Sequence, residues 1–402
     1  MHDHTDILIV GGGLVGASLA IALDRCGRGA TLIEASAPRA PSQPSYDERN
    51  LALARASVNA LETLNVWQHA QAAATPITRL HVSREGEFGA ARLSAREVDV
   101  EALGATLPAR ELGDALERRL QTGAQLTRYS PAKLESLQRL DNGWRARIST
   151  SDGTREIETG LLVGADGTDS YLRAQLGIDA EAHEYAQSLI VCTLTPERDP
   201  DGCAYERFSD DGPVALLPLS SRRCGLVLTV PAEQADTALA LGDDAFVALA
   251  QRRFGWKLGR LMRPGKRQAH RARRVVAASL TAPHAVLMGN AAQTVHPIGA
   301  QGFNLGLRDA LTLAELTASS SDTGAAELLR DYAARRAPDR DGVVAFSHGL
   351  ISLACLPQPL FAPLRSLALI GFDRFPPLKR ALAKRGMGFR GEPPAATLER
   401  AP

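Results

Sequence analysis

The sequence predicts an α/β protein (α+β overall): a discontinuous Rossmann-like domain, an inserted mixed β-sheet domain and a C-terminal helical region. Three observations predict it. A strand, a glycine turn and a helix follow one another in DILIVGGGLVGASLAIAL, Asp6–Leu23. Between about Glu184 and Val230 the chain turns to short strand-like runs: SLIVCTLT, GPVALLPLS and CGLVLTV. An α/β pattern then resumes at HAVLMGNAAQ, so a late segment must complete the first domain.

The elements follow in order. Residues 1–34 read as β–α–β, and Ala37–Pro44 (APRAPSQP) as a proline-rich loop. Apolar spacing predicts helices over Arg55–Ala70 and Glu111–Gln121. Alternation in WRARIST and a turn at Asp152-Gly153 predict a hairpin over Asn142–Glu158. GLLVGADGTDSYLR gives a strand, a turn and a helix start, and DDAFVALAQRRFG a later helix. The expected boundaries place the nucleotide-binding domain in residues 1–75, 101–180 and 276–330. The inserted domain takes 76–100 and 181–275, and the helical region 331–402.

The bulk composition agrees with such a chain. A length of 402 residues exceeds what one core usually serves, and 45% apolar with 23% charged residues is ordinary for a globular protein. Five scattered cysteines (Cys26, Cys192, Cys203, Cys224, Cys355) form no CxxC pair, which argues against a disulfide framework or zinc site and fits a reducing cytoplasm. The histidines show no paired ligand spacing, so no metal is expected. The acidic start MHDHTDILIV is no signal peptide. A net charge of +1 hides an asymmetry: Gln251–Arg274 holds ten basic and no acidic residues, and Arg365–Arg390 seven basic and one acidic. Each is either a face for an anionic partner or a solvated basic surface. Only Phe254 and Trp256 interleave the first cluster, so nucleic-acid binding is not expected.

The glycine turn carries the first chemistry. Gly11-x-Gly13-x-x-Gly16 ends a strand and opens a helix. The first glycine permits the turn, the second lets backbone approach a pyrophosphate, and the third lets helix and strand pack closely. The helix start supplies free N–H groups and a positive dipole end. Glu34 ends the next strand; its carboxylate suits a ribose hydroxyl and repels a 2′-phosphate. The turn therefore suits FAD or NAD and does not separate them.

Two later stretches do. LLVGADGTDSYLR carries Gly164, Asp166, Gly167, Ser170 and Arg173, and LMGNAAQTVHPIGAQGFNLGLRDA spans Leu287–Ala310. With the glycine turn, they resemble, in order and over nearly the whole chain, the FAD-dependent aromatic hydroxylases, the group containing p-hydroxybenzoate hydroxylase. The resemblance implies FAD as cofactor, NAD(P)H as co-substrate and oxygen transfer through a flavin hydroperoxide. It implies cofactor contacts at Gly11, Gly13, Leu14, Val15 and Gly16, at Glu34, and at Asp166 and Gly167. It further implies a ribityl contact at Gly289-Asn290, where Asn stands in place of the family's Asp. Flavin-ring contacts fall on Pro297, Gly302, Phe303 and Asn304, and arginine contacts on Arg49 and Arg110, each of which reads either as a cofactor contact or as an ordinary surface salt-bridge arginine. HPIGAQG, His296–Gly302, has Gly299-Ala300 where a common family version has Ala-Gly, which moves the flexible residue back one position.

His296, with Pro297 beside it, is the catalytic candidate: either it moves protons or its ring supports the loop. Tyr205 and Arg207 either line the substrate face or point outward. Asp309 reads as a capping or surface carboxylate. The Asn variant of the third stretch resembles the ubiquinone-biosynthesis branch (2-polyprenyl-6-methoxyphenol hydroxylase-like), which implies a polyprenyl phenol as substrate. The alternatives are a soluble aromatic acid or phenol, or a non-catalytic flavoprotein scaffold. A membrane-borne substrate implies a cytoplasmic protein, peripheral at the inner membrane face or bound to other ubiquinone-pathway proteins. Val343–Phe372 is apolar but broken by Pro357, Pro359 and Pro363, so it predicts two short amphipathic helices rather than a membrane span. The basic cluster Arg374, Lys379, Arg380, Lys384, Arg385 follows it. Apolar face and basic flank suit either an anionic lipid surface or a cap on protein.

Overall fold

The computed structural model describes residues 3–37, 49–354 and 362–398. Beyond Ala37 the expected proline-rich loop lies outside them, as do Cys355, Pro357 and Pro359.

Strand β1 (Asp3–Val10), helix α1 (Leu14–Arg25) and strand β2 (Ala30–Ile33) form the opening β–α–β. Five strands run parallel in the order Ala285–Leu287, Gly153–Gly164, β1, β2, Leu126–Tyr129. Ile7 and Ile9 pack towards α1 and the helix Gln301–Ala318, while Leu8 and Val10 face the opposite core. Burial on both faces is why this strand reads as an unbroken apolar run. The second face is covered by the antiparallel strands Ala132–Leu140 and Gly143–Thr150, the latter paired with Gly153–Gly164 across the expected Asp152-Gly153 turn.

The inserted sheet is nine-stranded and mostly antiparallel. Its order is Gln293–Thr294, Gln268–Ala277, Ala180–Pro196, Arg223–Pro231, Val214–Leu219, Cys203–Phe208, Arg79–Arg84, Ala90–Ser94, with Leu261–Met262 at one edge. One pair, Cys203–Phe208 with Arg79–Arg84, is parallel. Leu216, Leu226 and Leu228 on its outer face pack against helices Ala235–Ala240 and Asp243–Phe254. Its inner face turns to the first domain.

Two expectations about helices change. The helix expected over Arg55–Ala70 divides into Arg55–Thr63 and Trp67–Ala70, because Asn65 takes a left-handed φ of 57°. Val343 does not begin a short helix. It belongs to a 29-residue helix, Ala326–Ala354, which tolerates Pro338 inside it. Pro363 sits in the first turn of the helix Ala362–Arg374, where no intrahelical N–H is lost. The helix Pro376–Gly386 follows. Among the described residues no helix is long and apolar enough to cross a membrane.

Candidate active site

The parallel register sets the site. Val10 lies beside both Ile33 and Gly164, and Gly164 beside Leu287. Gly11, Glu34, Asp166 and Gly289 follow these strand ends within two residues. Four stretches far apart in sequence thus meet along one carboxyl edge, where open α/β sheets bind ligands. They border a cavity of about 2030 Å³ between the two sheets.

The glycine turn divides its work as expected from the residues. Gly11 has φ +104° and donates its N–H to the Ile33 carbonyl at 2.9 Å. A Cβ on Gly16 would lie 1.9 Å from the Gly11 carbonyl oxygen, whereas one on Gly13 would meet no atom within 4 Å. The first contact is packing; the second is space for a ligand. Helix α1 has no side-chain cap and no acidic residue in its first turn, so its leading N–H groups and positive end face the cavity. Glu34 accepts the Gly12 N–H at 2.7 Å and the Ser36 N–H at 2.8 Å, which fixes its carboxylate at the rim.

Asp166 is held as well. Its carboxylate accepts Ser170 Oγ–H at 2.5 Å and the Leu172 N–H at 2.9 Å, capping the short helix Tyr171–Gln175. Gly167 (φ +87°) beside it faces open space. Arg173 ties this turn to the third stretch, donating to the Ala291 carbonyl at 2.9 Å and the Thr168 carbonyl at 3.0 Å.

The Gly289-Asn290 turn is braced from below. Gly289 N–H donates to Asp309 at 3.1 Å, and Gln293 Nε2 to the same oxygen at 2.7 Å. The other Asp309 oxygen accepts from Arg336 Nε at 2.7 Å. Arg336 also donates to Asp339, which takes two further bonds from Arg308. All four side chains are at most 3% exposed. This corrects the expectation of a surface carboxylate at Asp309. At Asp339 desolvation opposes the charge, yet Arg308 and Arg336 outweigh it and hold that carboxyl below the usual range. Asn290 above this network is exposed and borders the cavity.

The HPIGAQG loop carries Gly299 and Ala300 at φ +67° and +50°. The exchange of the glycine therefore leaves an alanine in the left-handed region. The helix Gln301–Ala318 begins there, with no side-chain cap and no acid in its first turn. Asn304 pins that start: it accepts the Ala54 N–H at 2.8 Å and donates to the Ala52 and Ala300 carbonyls at 2.9 and 2.7 Å. Gly302, like Gly13, faces open space, and Pro297, Phe303 and Asn304 border the cavity. His296 Nδ1 accepts the Ile298 N–H at 3.2 Å, its carbonyl accepts Ser347 Oγ–H at 3.0 Å, and the Tyr185 ring stands edge-on at 5.0 Å. Nε2 therefore carries the proton of the neutral ring, and it is buried without a partner. Burial pushes the His296 pKa down to about 4. At neutral pH the ring braces the loop and offers a donor; it is a poor proton acceptor.

Leu14 and Val15 border the cavity, and Val15 also packs beneath Gly289 and Gly306. Arg49 borders it too. Arg110 does not: it opens on a separate cavity of about 240 Å³ with Glu111, Thr193 and Arg223. Tyr205 turns its ring to Phe254 (5.6 Å) and His81 (5.7 Å), and Arg207 lies against Gly255. Both are directed to the helix layer. The residue between them, Glu206, faces the cavity on the inner sheet face. Sequence reasoning passed over it; alternation puts it on the face opposite Tyr205 but does not say which face is the inner one.

The residues fit FAD. Three glycines leave room for it, two uncapped helix ends offer dipoles that would suit its anionic groups, and Asn290 borders the same cavity.

Residues 4–347 match the family described as FAD binding domain. The ubiquinone hydroxylase UbiL of Rhodospirillum rubrum is 35% identical over 95% of this chain and 89% of its own length. The 3-demethoxyubiquinol 3-hydroxylase of Escherichia coli is 32% identical over 96% of this chain and 99% of its own. Among solved structures, p-nitrophenol 4-monooxygenase PnpA from Pseudomonas putida superposes with a TM-score of 0.82 over 97% of this chain and 99% of that one, at 16% identity, a likeness of fold.

Proposed function

The chain belongs to the FAD-binding-domain family, and we propose that it is a monooxygenase that hydroxylates the ring of a polyprenylated phenol in ubiquinone biosynthesis, with FAD as cofactor and NAD(P)H and dioxygen as co-substrates. One observation carries this reading: cofactor cradle and apolar sheet face enclose a single cavity. Bound and reduced, FAD supplies activated oxygen; the protein supplies place and dryness. Backbone amides at the starts of α1 and Gln301–Ala318 would hold the cofactor's anionic edges. Pro297, Gly302 and Phe303 border the cavity where the ring would lie, and Asp309 with Arg336 holds the Gly289-Asn290 turn in place. Val82, Ala204, Ala215 and Val227 on the sheet face exclude water from the phenol ring. The arginines at that end, Arg84, Arg92 and Arg365, are each paired with a carboxylate (Glu87, Asp373 and Glu87), which favours a neutral phenol over an aromatic acid.

The C-terminal helices support a lipid-borne substrate. Leu369 and Phe372 border the cavity, while Leu364 and Leu367 on the same helix, and Phe375 and Leu378 after it, are exposed. Arg374, Arg380, Lys384 and Arg385 surround them on the surface. We read this as the face that meets anionic lipid, beside the cavity mouth.

The test is direct. Purified protein shows an oxidised-flavin spectrum, and its loss from a host making ubiquinone leads to accumulation of a prenylated phenol, with NAD(P)H consumption stimulated by that phenol. A colourless protein that takes up no FAD overturns the reading. Flotation with anionic vesicles, abolished by Leu364→Glu/Leu367→Glu, checks the lipid face.

A further inference from the structure

The apolar inner face of the inserted sheet carries a carboxylate with no partner. Glu206 lies opposite Ala215 on one neighbouring strand and Val82 on the other. Ala204 and Phe208 flank it on its own strand, and all five border the cavity. Among the described residues its side chain makes no hydrogen bond or ion pair. The charged groups that border the same cavity come from other elements. Arg84 and Arg365 hold Glu87, Arg92 holds Asp373, and Arg273 holds Asp169. His296 is neutral. Arg49, Glu184, His270, Arg271 and Arg390 also border it. None of these contributes to the state of Glu206: desolvation alone acts on it, pushing its pKa up to about 7. A lone carboxylate in such a place is costly unless a ligand uses it.

We propose that Glu206 is the residue that binds the substrate's phenolic hydroxyl and takes its proton. This rests on the proposed hydroxylase function. The phenol O–H bond breaks as a Glu206 Oε–H bond forms, and the electron pair left on the phenolate raises the nucleophilicity of the ring. The net reaction is phenol, dioxygen, NAD(P)H and a proton giving the ring-hydroxylated phenol, NAD(P)+ and water. The proton held on Glu206 leaves in that water. A base titrating near the working pH is matched to this task.

The test uses the full-length FAD-loaded chain, Glu206→Gln and Glu206→Asp, with 2-prenylphenol as probe. In the parent protein, binding read from the flavin spectrum tightens about tenfold between pH 6 and 8, and kcat/KM rises with a midpoint near 7. In Glu206→Gln both dependences disappear and kcat falls on the order of a hundredfold, with the flavin spectrum unchanged. Glu206→Asp restores the pH dependence with a displaced midpoint. A Glu206→Gln protein that keeps the parent's pH-dependent binding and turnover overturns the inference alone. A chain that takes up no FAD overturns the function reading and this inference with it.

Discussion

The two walls of the cavity are built in different ways. The cofactor wall, along the carboxyl edge of the parallel sheet, is made of backbone: glycine turns, uncapped helix ends and a braced loop. The opposite wall is made of side chains on a sheet face: Val82, Ala204, Glu206, Ala215 and Val227. Backbone that must approach a ligand needs particular residues at particular spacings. A sheet face needs only alternation and volume. The first wall is therefore intolerant and recorded in motifs; the second can change substrate without changing fold.

Replacement on the cofactor wall separates packing from binding, and the largest effect falls on Gly16. Gly16→Ala places a methyl 1.9 Å from a carbonyl oxygen, so it abolishes folded holoprotein. Gly13→Ala leaves the melting temperature of the FAD-free protein within a degree or two but weakens FAD binding at least tenfold. Equal loss of stability in the two would break the distinction between a packing glycine and a ligand glycine. Arg336→Leu comes next. It takes the counter-charge from Asp309 and leaves Asp339 with Arg308 alone, and costs about 3–5 kcal/mol by denaturant unfolding. Loss of FAD retention with it would show that the network holds the Gly289 turn.

Legibility followed the same division. The glycine turn was readable because backbone geometry dictates its spacing, whereas the Asp166-Gly167 turn and the HPIGAQG loop were readable as cofactor sites only through the resemblance to the aromatic hydroxylases. Asp309 was misjudged because its cationic partner Arg336 comes from another helix, and local sequence gives no sign that the two helices bury an Arg-Asp pair between them. Glu206 was missed while its neighbours Tyr205 and Arg207 were considered: a carboxylate in an apolar strand reads as an outward residue until the sheet's two sides are known. The helix Ala326–Ala354 exceeded expectation because Val343 was read as the start of a short helix, whereas it continues a long helix that begins well before it and tolerates Pro338.

Acid should act on the two walls in opposite senses. His296 is held at about 4 in the folded state against 6.5 in the unfolded chain. The unfolded state binds more protons between these values, so stability is full above pH 6.5 and falls as pH drops towards 4, by roughly 3 kcal/mol at most. Glu206 is raised to about 7, so its contribution is present below pH 4.5 and is lost as pH rises through 7. Melting curves from pH 4 to 8 should flatten on the acid side in His296→Asn and on the neutral side in Glu206→Gln. Identical pH profiles in both variants would remove the assignment.

The smallest effect sharpens the comparison most. Ala300 occupies the left-handed region at φ +50°, which costs an L-residue about 1–2 kcal/mol. Ala300→Gly relieves that strain but gives back about 0.5–1 kcal/mol in chain entropy. The net gain should be about 0.5–1 kcal/mol by denaturant unfolding. Gly299, at φ +67° with open space around it, should lose about 1 kcal/mol on replacement by Ala. If the first substitution stabilises while FAD retention falls, the strained alanine is there for the loop's hold on the flavin ring. If stability rises and retention is unchanged, the strain is incidental, because the helix start and Asn304 already fix the loop.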